Sequence, residues 1–241
     1  MWYNIKTSQA VTSIKEVIVK VGVLFEKDGI LALNKPVGMI SQGPKTSSIP
    51  ELWELVKSHH PTGHVAHRID QFTTGINLAG ASRHQIGYLM SNWHTITRKT
   101  YLAIIEDPYW VEMLVTNSIG GKSASTFFRI IEHDWSYALV ECTLVKNGRT
   151  HQIRRHLQSL GSSIVGDRKY HGPETDVRGG QLLHAWRMEV RLPDESGKPG
   201  PWETIQAPIP DDFRQFQFDW DRWNADANGV LESWPVPTNW R

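Results

Sequence analysis

His67-Arg68-Ile69-Asp70-Gln71-Phe72-Thr73-Thr74-Gly75 runs directly into Ile76-Asn77-Leu78-Ala79. An acid and basic residues occupy a turn rich in hydroxyls, and the apolar run after it reads as a short strand. Upstream, Gly29 to Leu33 is another short apolar run, ending in Asn34-Lys35-Pro36-Val37-Gly38, a buried strand entering a turn. Between the two, Ser48-Ile49-Pro50-Glu51 has the form of a capping box. Ile49, Leu52, Leu55 and Val56 then mark one face of a helix ending near His59. Residues 1–20 carry no clear pattern.

Downstream, Ser82 to Gln85 is a second capping box, and Ile86, Leu89, Met90 and Trp93 continue at helical spacing. Lys99 to Glu106 alternates as a strand, stopped by Pro108. Ala124 to Ile131 and Tyr137 to Val145 form a strand pair joined around Asp134. After the Asn147-Gly148 turn, Thr150 is placed to cap a helix with Ile153, Leu157 and Leu160 inward and Gly161 as its stop. Leu182 to Leu192 and Trp202 to Ala207 read as a hairpin with a long loop. Strands outnumber helices and hairpins predominate, which predicts an α+β protein with a largely antiparallel sheet. The stretch from Phe213 to Arg241 carries tryptophans at 220, 223, 234 and 240, too much aromatic surface to leave in water, so this tail is expected to wrap the domain.

The chain has 241 residues, enough for a sizeable core, and its 39% hydrophobic and 21% charged content fits a globular protein. A net charge of +1 offers no global pull on nucleic acid, but a basic face suffices for that. The single cysteine, Cys142, lies in an apolar run and rules out a disulfide framework. No stretch reaches the about 18 apolar residues of a membrane span, and Lys6, Lys15 and Glu16 break any leader-like run, so a cytoplasmic location is the expectation.

Two further segments stand out beside the Asp70 turn. Arg98-Lys99-Thr100-Tyr101 opens a strand with two basic residues, and Gly148-Arg149-Thr150-His151-Gln152-Ile153-Arg154-Arg155-His156 crowds cations into the first turns of a helix. His151, Arg154, Arg155 and Gln158 share a face opposite the core. Such a face is either a solvated surface or a site for an anion. It carries no acid, and cations at a helix N-terminus oppose the dipole, both of which suit a phosphate or a buried carboxylate. His59, His60, His64 and His67 cluster in sequence without a well-spaced acid, so no metal site is expected. Gly-rich nucleotide loops and a nucleophile elbow are lacking as well, so no cofactor is expected.

These residues resemble the RNA pseudouridine synthases of the large-subunit ribosomal RNA "A" type. The likeness rests on Ile30 to Gly38, on His67 to Gly75 followed by Leu78-Ala79, on Arg98 to Tyr101, and on Gly148 to His156. Gly161, Ile164-Val165-Gly166-Asp167, Tyr170, Leu183-His184-Ala185 and Ile205 to Pro208 extend it, to cover about residues 24–213. It implies one catalytic domain over 1–241, with a largely antiparallel mixed sheet, flanking helices, a central active-site cleft and the tail 214–241 wrapped around it. Some relatives carry a small N-terminal RNA-binding domain, which residues 1–23 are too few to form.

The resemblance implies an isomerase that detaches uracil from ribose at N1 and rejoins it through C5, without cofactor or metal. Asp70 is then the essential carboxylate, attacking the sugar or the base or removing the C2′ proton, and Arg154 is its paired cation. Arg68 enters the space left by the flipped base, Tyr101 stacks on the uracil, and Ile164 or Val165 walls the base pocket. Arg149, His151 and Arg155 face phosphates, with His67 and Lys35 as further substrate contacts, although Lys35 is equally readable as a structural turn lysine. The implied partner is structured RNA, tRNA or large-subunit rRNA, and a monomer is expected. Gln71-Phe72 stands where the family often has a charged pair, and Thr74 where it usually has Ser; these departures bear on substrate choice. A binding protein that has lost activity, and a hydrolase using His67 and Asp70, are the competing functions.

Overall fold

The computed structural model describes residues 20–44, 49–106, 108–134, 136–146, 148–224, 227, 229 and 232–235. In chain order the strands and helices are β1 (Lys20–Lys27), β2 (Ile30–Lys35), α1 (Leu52–His59), β3 (His64–Val65), β4 (Thr74–Gly80), α2 (Arg83–Ile96), β5 (Thr97–Glu106) and β6 (Glu112–Val115). Then come β7 (Ser125–His133), β8 (Tyr137–Lys146), α3 (Gln152–Ser159), β9 (Leu183–Pro193), β10 (Pro199–Gln206), α4 (Trp220–Asn224) and β11 (Glu232–Pro235).

Among the described residues, eleven strands join one mixed sheet in the order β11-β1-β2-β4-β9-β5-β8-β7-β6, with β10 added on β9 and β3 on β4. The fold is α+β, as the strand count predicts. Local hairpins supply β1–β2, β7–β8 and β9–β10, all antiparallel. The β4–β9 pairing is parallel and spans only Thr74↔His184 and Gly75↔Ala185. It lies in the middle of the sheet, immediately after the Asp70 turn. Gly75 has φ +97°, and a Cβ there would collide with the Ala185 carbonyl, so only glycine lets the two backbones meet.

Every residue of β4 is buried, which explains its unbroken small and apolar sequence: both faces are covered. One core lies around α1, another under α2, and the largest joins β5, β8, α3 and the C-terminal aromatics. In α2, Ser82 caps as expected, its Oγ accepting from the His84 amide at 3.2 Å. Leu89 and Ile96 are its buried residues, whereas Met90 faces solvent, 64% exposed. For α1, Ser48 lies outside the described residues; the N-cap is Glu51, whose side chain makes no cap and accepts instead from the Gly43 amide.

Helix α3 departs further from expectation. Its N-cap is His151, in a left-handed conformation (φ 56°), so Thr150 does not cap it. Gln152 organises the entry instead. Its Oε1 accepts from the Arg149 amide at 2.9 Å, and its Nε2 donates to Ser125 O and Thr126 Oγ1 at 3.0 and 3.1 Å, tying the loop to β7. Gln152, Arg154 and His156 are buried alongside Ile153 and Leu157. The cationic face therefore divides: Arg154 turns inward while Arg155 and Gln158 stay exposed.

After β10 the chain packs back on the sheet. Phe213 and Trp220 are buried in the largest core. The Trp223 carbonyl accepts from Trp186 Nε1 and Gln206 Nε2, and β11 pairs antiparallel with β1. Trp240 lies outside the described residues.

Candidate active site

The Asp70 turn is fixed from several sides. Thr73 N donates to the Asp70 carbonyl at 3.0 Å, and Gly38 N to the Gln71 carbonyl at 3.0 Å. Ile69 N donates to Ser41 Oγ, and Arg178 Nη1 to the Phe72 carbonyl, each at 3.0 Å. Lys35, fully buried, donates to the carbonyls of Pro36, Met39 and Gln71 at 3.0, 2.6 and 3.0 Å. Its three ammonium protons are thus used by backbone, which assigns Lys35 to holding the turn; it is absent from the cleft lining, where a substrate contact was expected.

The carboxylate this turn presents opens onto a cleft of about 390 Å³, within the size range of small-molecule sites. Asp70 Oδ2 accepts from Arg154 Nη1 at 2.8 Å. The other two donors of that fork, Nε and Nη2, bond both oxygens of Asp167 at 2.6 and 2.8 Å. Asp167 is 1% exposed, so a buried acid balances Arg154 and leaves it oriented toward Asp70. The acid that the helix face itself lacks is supplied by Asp70 and Asp167 together. Tyr170 completes the arrangement. Its ring centre is 5.0 Å from the Arg154 guanidinium, and its hydroxyl is 2.9 Å from His151 Nδ1. His151 Nε2 lies 3.8 Å from Asp70 Oδ1. Burial moves the His151 pKa below its ordinary value; Asp70 opposes that shift and Arg154 reinforces it.

Tyr101 lines the cleft with 8% exposure. Burial, and then the charge of Asp70, drive its pKa far above the ordinary phenol value, so it stays protonated. His67 also borders the cleft, but its Nε2 accepts from the Leu78 amide at 3.0 Å. Burial, aided by Lys99, lowers its pKa to about 3. It is a neutral structural imidazole, suited neither to proton transfer at neutral pH nor to a metal. Among the described residues no group of three or more His, Cys, Asp or Glu side chains is placed to hold a metal ion.

Arg68 is exposed at the cleft, and Arg149 and His151 line it. Arg155 does not line it and points to solvent. Ile164 and Val165 are fully buried and do not form its wall, because their backbone pairs with Ile105 and Ile104 of β5 and buries them in the core. Leu144, Ile153 and Leu183 take that place. Sequence assigned no role to Asp167, Tyr170 and Lys99. Asp167 and Tyr170 do fall in a segment that resembles the family, and Lys99 in the Arg98 to Tyr101 motif, but only the fold brings them together.

A partly exposed carboxylate held by a buried arginine in a cleft is an arrangement found in enzyme active sites. A family model described as RNA pseudouridylate synthase matches residues 29–159, more than half of the chain, and the protein belongs to that family. It is 28% identical over 220 residues to a ribosomal large subunit pseudouridine synthase D of Nitrosomonas europaea, covering 79% of this chain and 62% of that one. It is 29% identical to an uncharacterized RNA pseudouridine synthase of Bacillus subtilis (80% and 70% covered) and 29% identical to a dual-specificity RNA pseudouridine synthase of Vibrio parahaemolyticus (71% and 78%). The chain spans about six-tenths of the length of the D-type relatives from Nitrosomonas europaea and Neisseria meningitidis. Human RNA pseudouridylate synthase domain containing 4 and domain containing 1 share the fold, with TM-scores of 0.61 and 0.60 at 21% and 18% identity. The matches cover 85% and 87% of this chain, and 93% and 96% of those.

Proposed function

We propose that the protein converts uridine in structured RNA, tRNA or large-subunit rRNA, to pseudouridine, with Asp70 as the catalytic carboxylate. The observation that carries this reading is the Arg154 fork, which holds a partly exposed Asp70 at the cleft while a buried Asp167 absorbs the rest of its charge. In the reaction the C1′–N1 bond breaks and a C1′–C5 bond forms. C5 loses its proton and N1 gains one, so the product is an isomer and no redox partner or hydrolytic water is consumed. Asp70 acts on the sugar or the base, Arg154 holds and aims it, and Tyr101 offers the uracil a flat, protonated ring.

Supply of the uridine requires base flipping at a cost of a few kcal/mol. Arg68, exposed at the cleft beside Asp70, is placed to fill the vacated stack. Four cationic side chains, Arg68, Lys99, Arg149 and Arg154, line the cleft against one carboxylate. A polyanion drawn into the cleft therefore meets a net positive lining, even with Asp167 set against Arg154, although the whole chain is only +1. No helix among the described residues is long and apolar enough to cross a membrane. We read the chain as one catalytic domain, monomeric and cytoplasmic. A protein that binds RNA without modifying it is the alternative. Incubation with bulk tRNA and rRNA, without added metal, followed by carbodiimide mapping separates the two: new pseudouridine supports the enzyme, and none in either pool contradicts it.

A further inference from the structure

Lys99 is the third residue of β5, two positions before Tyr101 and on the same face. It lines the cleft, yet only 7% of it is exposed. Its ammonium makes no hydrogen bond or ion pair among the described residues. Nζ instead lies 5.0 Å from the centre of the Trp93 ring, which packs in turn on His67. It also lies against Gly148, where a Cβ would stand 3.3 Å from it, so the loop before α3 leaves room for the lysine. The one carboxylate of the cleft, Asp70, is engaged by Arg154. His67 gives its ring nitrogen to the Leu78 amide.

A recessed cation without an anion is costly in a folded protein. Burial lowers the Lys99 pKa to about 8, which leaves it mostly protonated at neutral pH. The aromatic face of Trp93 offsets part of the cost and supplies no negative charge. The missing partner must come from outside and must enter the cleft. Arg68, exposed at the cleft, can meet the phosphates of an undisturbed RNA surface. Lys99, nearly buried in the cleft lining, is reached only by a strand drawn into the cleft.

We propose that Lys99 is a phosphate subsite, binding the phosphodiester next to the target uridine once that nucleotide has entered the cleft. This rests on the function proposed above and deepens it. Because the contact forms only after flipping, it favours the reactive complex over the encounter complex. Loss of Lys99 should therefore lower kcat/KM while leaving general RNA affinity nearly intact.

The test uses the RNA that the wild-type protein modifies, prepared with its natural backbone and with a neutral methylphosphonate beside the target uridine. Lys99→Met should lower kcat/KM by about 10- to 100-fold on natural RNA, the loss of one charged hydrogen-bonded contact. Its dissociation constant for unmodifiable RNA should change by less than about threefold. On the methylphosphonate RNA the wild-type protein should fall to the level of Lys99→Met, and the variant should lose nothing more. Lys99→Arg should retain most activity. Lys99→Met should melt at or above the wild-type temperature, since it removes an unpaired buried charge. Independent, multiplying losses from the variant and the modified backbone would overturn the subsite, as would near-normal kcat/KM in Lys99→Met. A lowered melting temperature with an unchanged phosphate response would make Lys99 merely structural. If the wild-type protein makes no pseudouridine in any RNA, the functional reading itself fails, a result distinct from all of these.

Discussion

Arg154→Lys keeps the positive charge and removes the fork. In the native site the guanidinium makes three short charge-assisted bonds, two to Asp167 at 2.6 and 2.8 Å and one to Asp70 at 2.8 Å. A lysine ammonium at the end of its stem reaches one of these carboxylates, and the buried Asp167 is the one that can least do without it. The variant then loses one bond to Asp167 and the link to Asp70. Charged hydrogen bonds contribute about 1.5–3 kcal/mol each, and the Asp70 bond is discounted because its side chain is 26% exposed. The sum is about 3 kcal/mol. For a chain of this size that lowers the melting temperature by about 6–12 °C. A displaced Asp70 should also cut kcat about 100-fold, the effect expected of a 1 Å misplacement, with KM changed little. Thermal unfolding and single-turnover pseudouridine formation measure both. A melting temperature within about 2 °C of wild type, together with near-normal kcat, would refute the fork as the device that places Asp70.

Two more predictions concern stability. His184 is fully buried and His67 partly so, and both have pKa values lowered from 6.5 to about 3, loss of hydration being the main cause in each. Below pH 6.5 the unfolded chain binds protons that the folded protein refuses, so stability should fall as the pH drops from 6.5 toward 3, by about 1.4 kcal/mol per unit for each histidine; urea midpoints that stay flat from pH 7 to 5 would contradict this. Gly75→Ala places a Cβ against the Ala185 carbonyl at φ +97° and should destabilise by about 3 kcal/mol or more; an unchanged urea midpoint would show that the β4–β9 junction adapts.

What the sequence shows and what it hides divide along the range of the forces involved. The β7–β8 and β9–β10 hairpins and the Ser82 cap follow from signals within a few residues, and all are present. The short parallel β4–β9 pairing joins residues 110 positions apart and leaves no local trace. Thr150 looked like a cap because hydroxyls usually serve there, but Gln152 closes the loop through groups on β7 that lie far away in sequence. Ile164, Val165 and Lys35 sit in segments that resemble the family, yet tertiary packing buries them behind the cleft. Asp70 and Arg154 were legible as a pair only through the family likeness. Asp167 is the acid that explains the unbalanced charge on α3, and it was within the quoted motif without a role until the fold placed it.

In the proposed reaction the Asp70 carboxylate does the chemistry. Asp70→Asn keeps the size and leaves an oxygen for Arg154, while removing the ionised group. Single-turnover assay of this variant on an RNA that the wild-type protein modifies is the most direct test. No pseudouridine above background is expected, with RNA binding preserved. Pseudouridine formed at the wild-type rate would contradict this role of Asp70.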